Sequence, residues 1–193
     1  SFVKFIDLSL NDKGKKIVSV TAGAKPVLFG MNTKLVQESR GSIGICEGEI
    51  DAMSWQAAGL PFCSVPFGAK ADREDGGSPN DKWIDNCWYF LAGFDTIYLS
   101  MDMDEEGQKA ARAIAKRLGF DRCKFITLPK KDANECLKAG LNLKKYFDEA
   151  KTIEPDDVVC ASEMSDDAWN EISKGPEDKI GTLLFGWDFD DFQ

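Results

Sequence analysis

Three short acidic segments could do chemistry, because each directly follows an apolar run. They are EGEID at 47–51, DMDEEG at 102–107 and KKDANE at 130–135. Carboxylates that lie close together repel one another unless a divalent cation lies among them. Mg²⁺ prefers a few carboxylates together with waters and phosphate oxygens, and such ions activate an attacking oxygen and stabilise a leaving one. Gly48 and Gly107 would let the backbone turn sharply and leave room for a phosphate.

The three segments meet only if the surrounding sequence brings them to one place. From about residue 41, apolar spacing and glycine stops predict strands that alternate with helices. The predicted strands are 42–46, 62–67, 96–102 and 122–129. The predicted helices are 49–59, 81–93, 105–119, 133–140 and 143–150, with a polar glycine-rich loop at 68–80. This alternation indicates an α/β fold, a parallel sheet of about four strands with helices on both faces, whose ligands bind beyond the carboxyl ends of the strands.

Each acidic residue also has an ordinary structural explanation. Asp104 can cap the helix that follows it, and Glu49 and Glu105 can interact with the dipole of a helix start. Asp102 and Asp104, however, are two residues apart, so on a strand their side chains point the same way. Carboxylates that follow three separate strands make a shared metal site a stronger alternative to three unrelated caps than any one of them would.

Composition narrows the possible chemistry. The 193-residue chain has no histidine, which excludes Ser-His and Cys-His catalysis. Its 6 cysteines are spread singly, without a C-x-x-C pair, so we expect no zinc finger and interpret them as reduced packing residues. Any chemistry must therefore use carboxylates, lysines and metal ions.

The net charge of −9 is unevenly distributed. Residues 148–193 hold 14 acidic and 3 basic side chains, whereas residues 1–147 hold 19 acidic and 21 basic ones. A near-neutral body can still present a local basic groove to nucleic acid. The sequence shows neither a membrane-spanning apolar run nor a signal peptide, so we expect a soluble, cytoplasmic protein.

EGEIDA at 47–52 and DMDEEG at 102–107 resemble the two signature motifs of toprim domains, and their separation of about 55 residues fits. Two further segments, SVPFGAK at 64–70 and LPKKDANECLKAG at 128–140, are similar to stretches of phage primase–helicases and of the mitochondrial helicase Twinkle. PVLFGMNTK at 26–34 resembles the end of a primase N-terminal subdomain. The resemblance implies a DNA primase that makes short RNA primers from ribonucleoside triphosphates on single-stranded DNA.

The resemblance also implies roles for the acidic residues. Glu47 would be the general base or a metal ligand, and Asp102 and Asp104 would be the principal ligands of Mg²⁺, for which Mn²⁺ can substitute. Asp51 and Asp132 would complete the metal site.

Basic and aromatic residues near the motifs are further candidates. The candidates for nucleotide or DNA binding are Lys34, Lys70, Arg73, Lys109 and Lys131. A solvated loop or helix face is the alternative for each of them, and Lys131 is the strongest candidate because it adjoins Asp132. Trp55, Trp83 and Trp88 could stack on bases, but core packing is the better interpretation.

The predicted organisation has three parts. Residues 1–40, interpreted as short strands and turns, would be a remnant of the primase N-terminal subdomain. Residues 41–150 would be the toprim domain, and residues 151–193 an acidic linker toward a missing helicase domain, or else a disordered appendage. No Walker motif is present, so these residues are not themselves an ATP-driven helicase.

Two other functions remain open. The first is a toprim nuclease or topoisomerase, although a topoisomerase needs a nucleophilic tyrosine on another domain, and the 3 tyrosines here lie in predicted core elements. The second is a non-catalytic toprim scaffold that regulates a helicase ring. The intact acidic motifs argue against a scaffold, whereas the missing zinc module leaves it possible.

Overall fold

Two sheets organise the residues that the structure describes. The structure is a computed structural model that describes residues 3–10, 16–68 and 82–153. Its strands are β1 (Lys4–Leu10), β2 (Lys16–Val20), β3 (Ser42–Cys46), β4 (Phe62–Ser64), β5 (Thr96–Ser100) and β6 (Cys123–Phe125). Its helices are α1 (Lys34–Glu38), α2 (Glu49–Ala57), α3 (Lys82–Asn86), α4 (Trp88–Leu91), α5 (Glu105–Leu118), α6 (Ala133–Lys138) and α7 (Leu143–Asp148).

The larger sheet has four strands in the order β4-β3-β5-β6, and every neighbouring pair is parallel. The predicted α/β fold is therefore confirmed. Because the strands are parallel, the carboxyl ends of β3, β5 and β6 lie at one edge of the sheet, which is the edge that the acidic segments follow.

Helices cover both faces of this sheet, because its side chains alternate between two cores. On one face, Ile45 and Leu99 pack with residues of α1, α3, α4 and α5. On the other face, Phe62 packs with residues of α2, α6 and α7. The ring of Phe62 stacks on Trp55 at 4.5 Å and lies where a Cβ on Gly44 would be, so the centre of β3 requires glycine.

Several elements are shorter than predicted. The strands predicted at 62–67, 96–102 and 122–129 end at 64, 100 and 125, and the helix predicted at 81–93 is two short helices separated at Cys87. Residues beyond the strand ends remain buried, Met101 and Leu128 among them, because the chain still crosses the core after it leaves the ladder. An apolar run marks burial rather than strand pairing. The loop predicted at 68–80 lies, apart from Gly68, outside the described residues.

The N-terminal strands form a separate antiparallel hairpin, in which Lys4 pairs with Val20 and Asp7 with Ile17. The chain then reaches the main sheet, where Phe29 forms an antiparallel bridge to Ser64 of β4. At the opposite edge, Lys151 bridges to Phe125 of β6. Both edges of the main sheet are thus extended by segments from outside the alternating strand–helix region.

Core packing is confirmed for Trp55 and Trp83, which are buried, and is wrong for Trp88, which is 45% exposed on α4. Five cysteines are buried and free, as expected for packing residues, and Cys160 lies outside the described residues. Burial raises the pKa of Cys63 to about 12, so this thiol stays protonated at neutral pH. Within the described ranges, no helix combines the length and apolar character needed to cross a bilayer.

Candidate active site

Three carboxylates from three elements converge at the carboxyl edge of the main sheet. Asp51 lies in the first turn of α2, Asp102 follows β5, and Asp132 is the N-cap of α6. One oxygen from each of the three lies within 4.8 Å of the others. We call these residues the aspartate triad. Its donor set is oxygen only, which suits a hard divalent cation such as Mg²⁺ or Mn²⁺, so the triad can hold such an ion.

Asp51 has the most strongly shifted pKa of the three aspartates in the triad. Burial raises its pKa to about 6, and the negative charges of Asp132 and Asp102 act in the same direction. The backbone N–H of Asn134 donates to Asp51 Oδ1 at 3.0 Å and partly opposes the rise in pKa. Gly48 makes room for this carboxylate, since a Cβ at Gly48 would lie 2.7 Å from Asp51 Oδ2.

This raised pKa predicts that Asp51→Asn stabilises the metal-free protein at high pH. A carboxyl that ionises near 6 in the folded state and near 3.8 when unfolded lowers the free energy of unfolding as pH rises through that window. The shift corresponds to about 3 kcal/mol at most, and solvent screening reduces it to roughly 1 kcal/mol. In EDTA, urea unfolding should show the variant more stable by about that amount at pH 8, and the difference should vanish only as pH falls below the unfolded-state pKa of 3.8. Equal stability at pH 8 would contradict this account.

Asp102 lies between the triad and a lysine. Its side chain is 16% exposed, and Lys131 Nζ lies 3.0 Å from its Oδ2. Burial raises the pKa of Asp102, while Lys131 opposes the rise and Asp104 adds to it. The hydrogen bond to Asp102 in turn raises the pKa of Lys131, so the lysine is protonated.

Asp104 lies outside the triad and is 51% exposed. Its Oδ1 accepts from Gly107 N at 2.9 Å, so it caps α5, as the alternative interpretation of this residue expected. Its Oδ2 faces Lys131 Nζ at 3.9 Å. The structure therefore gives Asp104 a capping role without removing it from the edge where the metal site is predicted.

One backbone hydrogen bond joins the second and third acidic segments, and a side-chain hydrogen bond holds each of them in place. Met103 N donates to Lys131 O at 2.8 Å, and Gln108 Nε2 donates to Asp102 O at 2.9 Å. Asp132 Oδ1 accepts from Glu135 N at 2.7 Å and so begins α6. No sequence pattern predicts the hydrogen bond from Asn134 N to Asp51, because a backbone N–H is present in every residue except proline.

Glu47 also lies apart from the triad. It directly follows β3, its Oε2 is buried, and it lines a pocket of about 430 Å³. The other lining residues are Lys4, Val20, Gly48, Glu49, Phe67 and Gly68. Of the five acidic residues predicted to share one metal site, three thus form a compact group, while Asp104 and Glu47 flank it.

Lys4 is a site residue that sequence reasoning missed. Its Nζ lies 2.6 Å from Glu49 Oε1, and the two side chains are 18% and 19% exposed. This ion pair joins β1 of the hairpin to the start of α2, next to Glu47. Because 45 residues separate the partners, only the tertiary fold shows that they meet.

Among the five predicted basic residues, only Lys131 is seen at the carboxylates in the described part of the chain. Lys34 pairs with Glu38 at 3.8 Å and is 85% exposed, and Lys109 pairs with Glu105 at 2.6 Å and is 64% exposed. Both lie on solvated helix faces. Lys70 and Arg73 lie outside the described residues.

Comparison with known proteins identifies the domain. Residues 44–137 match the family model described as Toprim-like. A "Twinkle homolog protein, chloroplastic/mitochondrial" of Arabidopsis thaliana is 34% identical over 119 residues, which are 58% of this chain and 16% of the relative. The "DNA helicase/primase" of Enterobacteria phage T3 is 29% identical over 187 residues, which are 94% of this chain and 31% of the relative.

A solved structure agrees with these relatives. It shows the bacteriophage T7 lagging-strand DNA polymerase with the primase domains of two gp4 subunits bound to an RNA/DNA hybrid and dTTP. It aligns with a TM-score of 0.55 at 26% identity, over 74% of this chain and 69% of that one. The chain spans less than a third of the length of the two curated relatives. Residues 44–137 are therefore a toprim-like domain, and the relatives of this chain include a Twinkle homolog protein of Arabidopsis thaliana and a phage DNA helicase/primase.

Proposed function

We propose that this chain is a DNA primase core, which makes short RNA primers on single-stranded DNA by metal-dependent nucleotidyl transfer. The observation that carries the proposal is the aspartate triad at the carboxyl edge of the sheet. Glu47, which follows β3 at the same edge, lines a pocket. A volume of about 430 Å³ lies within the range of roughly 300–1,000 Å³ usual for small-molecule sites, so a nucleotide can enter it.

The triad would hold Mg²⁺, or Mn²⁺ in its place, and Asp104 would assist from its place two residues after Asp102. When bound, the ion would bind triphosphate oxygens and stabilise the negative charge that develops during transfer. The raised pKa of Asp51 fits this role, because burial and the neighbouring charges of Asp132 and Asp102 all disfavour its ionised form, and a divalent cation would offset them.

Glu47 would act on the attacking group. Its carboxylate borders the pocket, and it would accept the proton of a ribonucleotide 3′-OH as that oxygen forms a bond to the α-phosphorus. The bond from the α-phosphorus to the bridging oxygen breaks, and pyrophosphate leaves. The pair of Lys4 with Glu49 keeps the hairpin against this pocket, so the hairpin would position the ribonucleotide.

The relatives support the rest of the proposal. The phage T3 relative is named a DNA helicase/primase, and the phage T7 primase domains are bound to an RNA/DNA hybrid. By analogy with these relatives, we propose that residues 1–40 belong to a primase N-terminal subdomain and residues 41–150 to the toprim domain. Residues 151–193 would be a linker toward a helicase domain of the same polypeptide. The template strand and ribonucleoside triphosphates would be the partners, with Lys34, Lys70, Arg73 and Lys109 as contacts still to be tested.

The test is primer synthesis by the wild-type chain. It should join labelled ribonucleotides into short oligomers on single-stranded DNA, with products that follow the template sequence and disappear in EDTA. Binding of Mg²⁺ without any product on templates of mixed sequence, even with a primase zinc module added in trans, would overturn catalysis. That result would favour a non-catalytic toprim scaffold.

A further inference from the structure

The ammonium of Lys131 is shared by two carboxylates of the DMDEEG segment, one inside the aspartate triad and one outside it. Its Nζ lies 3.0 Å from Asp102 Oδ2 and 3.9 Å from Asp104 Oδ2. Asp102 is a member of the aspartate triad, and Asp104 is not. The pair formed by Asp102 and Asp104 is therefore a second position for a cation, and Lys131 fills it.

The lysine can leave this position without disturbing the backbone. Its side chain is 54% exposed, so the ammonium can move toward solvent. Its main chain is fixed, because Lys131 O accepts from Met103 N at 2.8 Å. A released ammonium would therefore remain tethered at the edge of the site.

The charges favour an exchange once a divalent ion is present. Asp102 and Asp104 face the ammonium, and oxygens of Asp51 and Asp132 lie within 4.8 Å of one on Asp102, so four carboxylates and one ammonium give a local excess of negative charge. A divalent ion and an ammonium on the same two carboxylates repel each other strongly at such short separations. The electrostatic attraction of Asp102 and Asp104 is stronger for a divalent ion than for the single charge of a lysine.

We propose that Lys131 is a resident cation, which a divalent metal ion displaces from the pair of Asp102 and Asp104. The released ammonium is then available to a phosphate of the substrate. This inference rests on the proposed metal-dependent function. It differs from a fixed role for Lys131, in which metal binds to the triad alone and the lysine stays in its ion pair.

Amine labelling distinguishes the two roles. The whole chain is treated briefly with an amine-acylating reagent at increasing Mg²⁺, and peptide mass spectrometry measures the modification of each lysine. Calorimetry on the same samples measures metal binding. Lys145 is the matched internal control, because it is 61% exposed and pairs with Glu149 at 3.9 Å.

The modification of Lys131 should rise several-fold along the same curve as metal binding, while that of Lys145 stays constant. In parallel, Lys131→Met should bind Mn²⁺ roughly tenfold more tightly than wild type, and the charge-conserving Lys131→Arg should not. Metal binding with unchanged labelling of Lys131 would overturn the exchange and leave the metal site standing. An absence of metal binding in calorimetry would overturn the exchange together with the proposed metal-dependent function.

Discussion

Asp102→Asn is expected to lower primer synthesis by at least about 100-fold, a loss typical of removing one charged group that acts at a reacting phosphate. Asp102 belongs to the aspartate triad and also pairs with Lys131, so it contacts both cation positions. The amide is nearly the same size, and the hydrogen bond from Gln108 reaches the backbone carbonyl, which the substitution leaves intact. The variant should therefore fold, and a normal urea midpoint checks this.

Asp95→Asn is the matched control, because Asp95 is exposed and precedes β5 at the opposite edge of the sheet. It should synthesise primers at the wild-type rate. Full activity of Asp102→Asn in Mg²⁺ would exclude Asp102 as a ligand. The rise in melting temperature that Mg²⁺ causes should also be absent in Asp102→Asn, which provides a measurement independent of catalysis.

Glu47→Gln separates the two roles that the family resemblance leaves to Glu47. Because Glu47 lies outside the triad and lines the pocket, the variant should lose synthesis yet keep the melting-temperature rise caused by Mg²⁺. Loss of both would instead identify Glu47 as a metal ligand.

The convergence of Asp51, Asp102 and Asp132 could be predicted because it follows from topology alone. Strands that alternate with helices form parallel sheets, and residues after parallel strands meet at one edge whatever their side-chain conformations. The sequence could not decide whether Asp104 caps a helix or faces the site. In the structure, one oxygen of Asp104 accepts the capping hydrogen bond and the other faces Lys131. The residue type alone does not show how a carboxylate is oriented.

The pocket next to Glu47 could not be predicted, because one of its walls is the N-terminal hairpin. Val20 and Lys4 reach the site through long-range packing and through the pair with Glu49, which no local pattern encodes. The first apolar residues of the chain do not alternate cleanly, so even the strand β1 was uncertain from the sequence. The predicted strand ends were too long for a related reason, since residues such as Met101 are buried without being paired.

Gly107→Ala is expected to destabilise the fold by about 1–3 kcal/mol, although alanine favours an interior helix position by roughly 1 kcal/mol over glycine. Gly107 lies in the first turn of α5, and a Cβ there would lie 2.3 Å from the carbonyl oxygen of Asp102. This neighbour is backbone, so it cannot rotate away, and α5 would have to move from the end of β5. From the sequence we expected that the missing side chain at Gly107 would leave space for a phosphate. In the structure, that space instead allows α5 to pack closely against the backbone of Asp102.

The displacement should also weaken metal binding, because two contacts of the DMDEEG segment depend on where α5 begins. These are the cap from Gly107 N to Asp104 Oδ1 and the bond from Gln108 Nε2 to Asp102 O, each 2.9 Å. Gly93→Ala is the control, since a Cβ there would meet only Phe90 O at an ordinary 3.4 Å, and its urea midpoint should stay near wild type. If Gly107→Ala were as stable as Gly93→Ala and bound Mg²⁺ normally, α5 would be free to shift at its start. The position of Asp102 would then depend on β5 and Lys131 rather than on the packing of α5 against it.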